Sequence, residues 1–165
     1  MKKIVVFFLI CVVFCIFQFC FSSYISICGI FPNLILILVV YTGLSYGIIS
    51  AEIAGFLFGL VWDAFSADVF GVRTIIFTCV GYLSGLVYKK FDKDSFFTQI
   101  ILILLANIIY CFGFIFIYCV FCTGEGAVSC FISVQTILNM LATVLFAPVI
   151  FFILGRLRLF NRADV

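Results

Sequence analysis

The residue types that could carry specific chemistry are few in this sequence, and most of them lie in one stretch near the middle of the chain. That stretch combines acids, an arginine and regularly spaced glycines: Glu52, Gly55, Gly59, Asp63, Gly71, Arg73, Gly81 and Gly85. Glycines four residues apart lie on one ridge of a helix and allow another helix to approach closely. The spacing fits two alternatives, helix packing inside the chain or a ridge that receives a helix from another protein.

Catalytic and metal-binding arrangements are not indicated. The chain has no histidine, the usual general base and commonest metal ligand, and therefore no Ser/His or Cys/His pair. Its nine cysteines mostly fall in apolar runs, where a thiol behaves as a small hydrophobic group. A disulfide among Cys28, Cys119, Cys122 and Cys130 stays open. We expect neither an enzyme nor a bound cofactor or metal.

The composition requires a membrane. Hydrophobic residues make up 67% of the chain and charged residues 10%, whereas soluble domains carry roughly 25% charged residues. The net charge of +2 gives no indication of nucleic-acid binding. The sequence therefore predicts a single polytopic membrane domain over residues 1–165, surrounded by membrane lipids.

Six apolar segments are predicted to cross the bilayer as helices, since a crossing takes about 20 residues and unpaired strands are excluded from lipid. They cover about residues 4–21, 32–46, 47–65, 72–88, 96–119 and 131–154. The division between the second and third is the weakest, because small and polar residues replace a loop there. We interpret it as a tight hairpin; one long or re-entrant segment, with five crossings, is the alternative.

Basic residues support six crossings. They form three clusters, before the first segment, between the fourth and fifth, and after the sixth. With six crossings all three clusters lie on one side, and positive residues favour the cytoplasm. Both termini are therefore predicted to be cytoplasmic, with Arg73 as the single basic residue outside. The N-terminal segment lacks a cleavage pattern and is predicted to remain as an uncleaved helix.

The polar residues near or inside the segments leave several interpretations open. Glu52 is either an interfacial carboxylate that reaches water or an acid that faces a protein interior. Arg73 can pair with Asp63 or Asp68, and the turn between them either clamps two helices or binds a partner. Three amides are predicted to form hydrogen bonds between helices: Asn107, Gln135 and Asn139.

Several of these residues form a pattern that resembles the rod shape-determining protein MreD family. The pattern comprises Pro32-Asn33-Leu34-Ile35-Leu36, Gly55-(x)3-Gly59-Leu60-(x)2-Asp63, Gly71 and Gly81-Tyr82. It covers about residues 31–86, and the rest of the chain agrees in hydropathy. The chain departs from the family pattern at three positions: Asn33, where the family often has Asp, and Trp62 and Arg73, where smaller or apolar residues are more usual.

The resemblance implies an all-α, non-enzymatic membrane protein of the bacterial inner membrane that supports rod shape and lateral peptidoglycan synthesis. The implied partner is an MreC-like single-pass protein, bound by helix packing, with MreB-type cytoskeleton and RodA-type wall-synthesis enzymes as indirect partners. We hypothesise that the ridge with Gly59 and the turn after Asp63 hold the partner's helix. The family is also similar in fold to the substrate-binding subunits of energy-coupling-factor transporters, so a vitamin-transporter subunit is the alternative function.

Overall fold

The computed structural model describes residues 16, 18, 31–66, 69–88, 90, 95–121 and 134–160. These residues form five helices and no strand: α1 Leu34–Tyr46, α2 Ile48–Phe65, α3 Val72–Leu86, α4 Phe96–Phe121 and α5 Val134–Phe160. The five helices correspond to the second to sixth predicted segments. The first predicted segment lies outside the described residues apart from Ile16 and Gln18.

The helices differ in whether they are long enough to cross a bilayer. Three of them contain a candidate membrane span: Ile48–Phe65, Phe96–Val120 and Val134–Arg156. The apolar helices α1 and α3 have 13 and 15 residues, or about 20 and 22 Å at 1.5 Å per residue, less than a hydrocarbon core of about 30 Å. The described chain is therefore an all-helical membrane protein with three candidate spans, and six crossings stay a prediction.

Helix α1 lies at the centre of the helix assembly. Every residue from Leu34 to Ser45 is buried, and α1 contacts each of the other four described helices. A helix that is apolar on all sides is typical of such a position. The ring of Tyr41 packs edge-on against Phe151 of α5, with centroids 5.3 Å apart. Helix α1 is thus the core around which α2 to α5 pack.

A single residue, Gly47, separates α1 from α2. Its φ of +89° lies in the region that glycine adopts most readily. Its N–H donates to Gly43 and its carbonyl accepts from Ala51, so the hydrogen bonding of both helices continues up to the break. The expected hairpin loop is therefore a one-residue break between two separate helices. The structure therefore does not contain a single continuous helix through this region, which was one form of the five-crossing alternative.

Candidate functional site

The glycines of α2 lie against the backbone of α3. A Cβ atom added to Gly55 would collide with the carbonyl oxygen of Phe77, and one added to Gly59 would collide with the Cα atom of Thr74. Both collisions involve backbone atoms, which cannot rotate away as a side chain can. The two helices therefore approach as closely as they do because both positions lack a side chain.

The glycines of α3 complete the same crossing from the opposite side. A Cβ atom on Gly81 would lie 2.5 Å from the carbonyl oxygen of Ala51, and one on Gly85 would lie 2.5 Å from the Cα atom of Ile48. Since positions late in α3 meet positions early in α2, the helices run antiparallel. The predicted ridge is thus filled by α3 of the same chain, and the structure corrects the hypothesis that a partner helix occupies it at Gly59.

Asp63 caps a helix to which it does not belong. It lies near the end of α2 and is 2% exposed, and its carboxylate accepts hydrogen bonds from the first turn of α3. The donors are the N–H groups of Gly71 at 3.0 Å, Arg73 at 3.2 Å and Thr74 at 2.9 Å, and the Thr74 hydroxyl at 2.7 Å. The first N–H groups of a helix lack partners within it and favour a negative charge. Asp63 thereby closes the α2–α3 hairpin at the end opposite Gly81 and Gly85.

Gly71 makes this cap possible. It is the N-cap residue of α3 and has a left-handed φ of +96°. As a glycine, it has no side chain with which to cap the helix. A residue with a Cβ atom adopts this conformation at a cost. Gly71 therefore turns the chain so that its N–H points to the carboxylate of Asp63.

Arg73 is enclosed between charged, polar and aromatic groups. Its Nη1 lies 3.9 Å from Asp63 Oδ1 and donates to the hydroxyl of Ser66 at 2.6 Å. The guanidinium carbon lies 5.7 Å from the ring centroid of Trp62 and 5.2 Å from that of Phe114, within the range of cation–π attraction. The predicted Asp63–Arg73 pair is confirmed, whereas Asp68 lies outside the described residues. Trp62 and Arg73, two of the departures from the family pattern, contact each other.

A row of aromatic rings joins the α2–α3 hairpin to α4. Neighbouring ring centroids along it are 5.0–6.1 Å apart, and such pairs contribute beyond their buried area. The row consists of Trp62, Phe77, Tyr110, Phe114 and Tyr118. The sequence reasoning missed it, although the last three members are spaced by four residues and so share one face of α4.

A second polar cluster surrounds the beginning of α1. Asn33 caps α1, because its Oδ1 accepts from the N–H of Leu36 at 3.0 Å. Its own N–H donates to the hydroxyl of Thr143 at 2.9 Å, and the N–H of Phe31 donates to Oδ1 of Asn139 at 2.8 Å. Helix α5 therefore holds the segment that leads into α1.

Gln18 bonds to the same segment. Its side-chain oxygen accepts from the N–H of Leu34 at 3.0 Å, and its side-chain nitrogen donates to the carbonyl oxygen of Pro32 at 3.2 Å. Gln18 is 6% exposed, and the sequence analysis assigned it no such role. The signal that could have found it is a single amide in a long apolar run, since such groups bond inside the protein.

The three predicted amides have different outcomes. Asn139 joins α5 to the segment before α1, as described above. Asn107 donates to the carbonyl oxygen of Ile103 in its own helix at 2.9 Å, so the predicted interhelical bond of Asn107 is wrong. A buried asparagine in a helix can donate to a carbonyl oxygen of the preceding turn of the same helix. Gln135 is exposed near the start of α5, and its interhelical bond stays a prediction.

Glu52 is the fifth residue of α2 and is half-buried. By helical rise it lies about 6 Å from the helix start. Within the described ranges its carboxylate takes part in no hydrogen bond or ion pair. The two interpretations of Glu52 therefore stay open. Among the cysteines, Cys79, Cys111 and Cys119 are free thiols, whereas Cys28, Cys122 and Cys130 lie outside the described residues.

Comparison with protein families gives a match that covers most of the chain. The family model described as rod shape-determining protein MreD matches residues 1–157. Neither a curated protein nor a solved structure matches the chain. The matched region contains both polar clusters and all of the glycines of the α2–α3 crossing.

Proposed function

Because the chain belongs to the MreD family of rod shape-determining membrane proteins, we propose that it is a non-enzymatic component of a bacterial cell-elongation complex. It lies in the inner membrane, crosses it six times with both termini in the cytoplasm, and supports lateral peptidoglycan synthesis. The family match over residues 1–157 carries this proposal. The apolar helices of the structure support its membrane location.

The proposed action is to bind an MreC-like single-pass protein by helix packing. Since α3 fills the glycine ridge of α2, the partner's helix packs on another face of the bundle. The α2–α3 hairpin suits this role because its glycine crossing and the Asp63 cap hold it in one arrangement. In the proposed topology the turn after Asp63 lies outside the cytoplasm, next to the point where the partner's chain leaves the membrane. MreB-type and RodA-type proteins are then reached through the partner.

A scaffold role agrees with how the buried charges are used. The carboxylate of Asp63 accepts four hydrogen bonds from its own chain, and the guanidinium of Arg73 contacts Ser66, Trp62 and Phe114. These groups stabilise the hairpin, and their bonding capacity is directed at the chain itself rather than at a substrate. Asp63 and Arg73 therefore have a structural role in the proposed function.

The test is a tagged pull-down from mild detergent, with mass spectrometry of the recovered proteins and of bound small molecules. Recovery of an MreC-like protein with RodA-type enzymes supports the proposal. A second readout is whether the chain restores rod shape to cells that lack their own family member. Recovery of a vitamin together with coupling ATPases would overturn the proposal and favour the transporter alternative.

A Gly59→Leu variant is not a suitable probe of partner binding. The added side chain would meet the backbone of Thr74, so the variant disrupts the hairpin itself. Loss of the complex would then report on folding. Substitutions on lipid-facing residues are the appropriate probes, because they leave the crossing and the cap intact.

A further inference from the structure

The α2–α3 hairpin and α4 overlap along only part of their lengths. Phe77 of α3 stacks on Tyr110 of α4 with ring centroids 5.6 Å apart, and the Arg73 guanidinium lies 5.2 Å from the ring centroid of Phe114. Residue numbers fall along α3 as they rise along α4, so the two helices are antiparallel. The end of the hairpin that carries Asp63 and Arg73, which we term the capped end, therefore lies beside Phe114.

Helix α4 extends beyond the capped end. Its candidate membrane span continues from Phe114 to Val120, a distance of about 9 Å at 1.5 Å per residue. Phe116 and Val120 on this extension are exposed. Helix α4 therefore presents apolar surface to lipid past the level at which the hairpin ends in charged groups.

Helix α5 extends still further on the same side. Gly43, late in α1, lies against Gly85, late in α3, so α1 begins at the capped end. The N–H of Asn33, just before α1, bonds to Thr143, whereas the candidate span of α5 begins at Val134, about 13 Å earlier along the helix. The polar groups at this end of the bundle are thus recessed relative to both long helices.

The hairpin is too short for a bilayer that suits α4 and α5. Helix α3 has 15 residues, and α2 runs from Ile48 to Trp62 before it reaches Asp63, which is about 22 Å in each case. The candidate spans of α4 and α5 have 25 and 23 residues, or about 37 and 34 Å, against a hydrocarbon core of about 30 Å. A helix that is too long can fit by tilting, whereas tilting a short helix reduces its span further.

The charged groups at the capped end cannot make up the difference. Charged side chains near the end of a membrane helix usually extend to the headgroup region. The Asp63 carboxylate instead accepts four hydrogen bonds at the start of α3. Arg73 donates to Ser66, and its guanidinium lies near the rings of Trp62 and Phe114. Because both charged groups are held at the level of the hairpin, the headgroup region has to approach them.

We infer that the bilayer is thinned where its lipids meet the capped end of the α2–α3 hairpin. The lipids that cover the exposed apolar residues Val61, Phe65 and Ile75 have a hydrocarbon thickness of about 22 Å rather than about 30 Å. Lipids with short acyl chains fit this surface best. Such thinning goes beyond the proposed function, since it requires only that the chain lies in a membrane and does not depend on a protein partner.

The test uses tryptophan fluorescence, because the chain has a single tryptophan, Trp62. In a Trp62→Phe parent, the substitution Phe65→Trp or Phe116→Trp places one tryptophan at a position that is 75% or 69% exposed. The two positions are matched, since each lies two residues, or about 3 Å, beyond Asp63 on α2 or Phe114 on α4. Each purified variant is reconstituted in dioleoyl phosphatidylcholine, with lipids brominated near the headgroup or near the end of the acyl chain as quenchers of known depth.

Thinning predicts different depths for the two matched positions. Phe65→Trp should be quenched mainly by bromine near the headgroup and Phe116→Trp by deeper bromine, with depths that differ by up to about 8 Å. The difference should disappear in dimyristoleoyl phosphatidylcholine, whose shorter chains match the hairpin without deformation. Ile49→Trp, at the opposite end of α2 and 74% exposed, should be shallow in both lipids.

Other outcomes overturn the inference. Equal depths of Phe65→Trp and Phe116→Trp in dioleoyl phosphatidylcholine would show that the bilayer is not thinned at the hairpin. A deep Ile49→Trp together with a shallow Phe65→Trp would show that the whole chain tilts or shifts instead. If no brominated lipid quenches Phe65→Trp, water or a second copy of this chain covers the capped end, and quenching by aqueous acrylamide separates these two cases.

The wild-type chain gives a second measurement that involves no substitution. Trp62 lies one residue before Asp63 and is half-buried, so its quenching should be strongest with bromine near the headgroup in both lipids. Strongest quenching by deep bromine would contradict the thinning. Equal thermal unfolding of the tryptophan variants and the Trp62→Phe parent shows that the variants are folded. None of these results bears on the proposed function, which the pull-down and the restoration of rod shape test separately.

Discussion

One carboxylate oxygen of Asp63 accepts two hydrogen bonds from Thr74, at 2.9 Å from its backbone N–H and at 2.7 Å from its hydroxyl. Thr74 is also the residue whose Cα atom faces Gly59. One of the positions at which α2 and α3 approach closely is therefore next to the position at which α2 caps α3. The cap fixes how far α3 can slide along α2, and the glycines fix how close it lies.

Replacing Asp63 with Ala should be the most damaging single change in the hairpin. It leaves three backbone N–H groups and a hydroxyl without their acceptor and removes the counter-ion of Arg73. Loss of one member of a buried, hydrogen-bonded pair costs about 3–5 kcal/mol. Thermal unfolding in mild detergent should show a clearly lower midpoint.

The matched control is the other acid of α2. Glu52→Ala removes a carboxylate without a bond to a described residue and should leave the unfolding midpoint nearly unchanged. Asp63→Asn keeps one oxygen acceptor and should lie between the two. Equal midpoints for the alanine variants of Asp63 and Glu52 would refute the capping role.

The glycine crossing predicts opposite effects for two glycine-to-alanine substitutions. Gly81→Ala places a methyl group 2.5 Å from the Ala51 carbonyl oxygen, and overpacking of this kind costs about 1–3 kcal/mol. Gly155 lies inside α5 with nothing within 4 Å of an added Cβ atom. Gly155→Ala should therefore be neutral or stabilising by up to about 1 kcal/mol. Unfolding of the two variants under the same conditions checks the difference, and a stable Gly81→Ala variant would contradict the close crossing.

The amides Asn139 and Asn107 predict a contrast between two similar substitutions. Asn139→Leu leaves the N–H of Phe31 without its acceptor, which costs about 1–3 kcal/mol if that group stays buried. Asn107→Leu removes only a bond to a carbonyl of its own helix, and should change stability by less than about 1 kcal/mol. Hydrogen exchange at Phe31 gives a local readout. Faster exchange is expected for Asn139→Leu and not for Asn107→Leu.

The contacts of Arg73 predict coupling between positions 62 and 73. Arg73→Lys keeps the charge but loses the planar group that lies over two rings, and should cost about 1–2 kcal/mol. Trp62→Leu removes one of those rings. If the two residues act together, the double variant should be less destabilised than the sum of the single variants. Strict additivity in a thermal double-mutant cycle would show that the cation–π contact contributes nothing.

The sequence predicts the positions of the helices and the pairing of Arg73 with an acid better than it predicts which surfaces are buried. Five segments were located because continuous apolar runs must be helical in lipid, and Arg73 pairs with one of its two candidate acids. The burial of α1 from Leu34 to Ser45 was not predictable, since lipid and protein interior are equally apolar and select the same residues.

The polar clusters show a second limit. Gln18, Asn33 and Thr143 are far apart in the chain, and their meeting depends on helix order in three dimensions. The spacing of Gly55 and Gly59 likewise indicates close packing without naming the neighbour, which the structure identifies as α3. The cap by Asp63 could not be predicted from the sequence either, because a capping residue is normally the one immediately before its helix.

The contacts of Asn139 and Thr143 have a consequence for biosynthesis. They accept from Phe31 and Asn33, 108 and 110 residues earlier in the chain. While the ribosome is still translating the middle of the chain, the start of the central helix has no access to these acceptors. A product truncated before residue 139 would leave the N–H groups of Phe31 and Asn33 without these acceptors, and only the bonds from Gln18 would remain at the start of α1. Completion of α5 is thus the event that completes the hydrogen bonding at the start of α1.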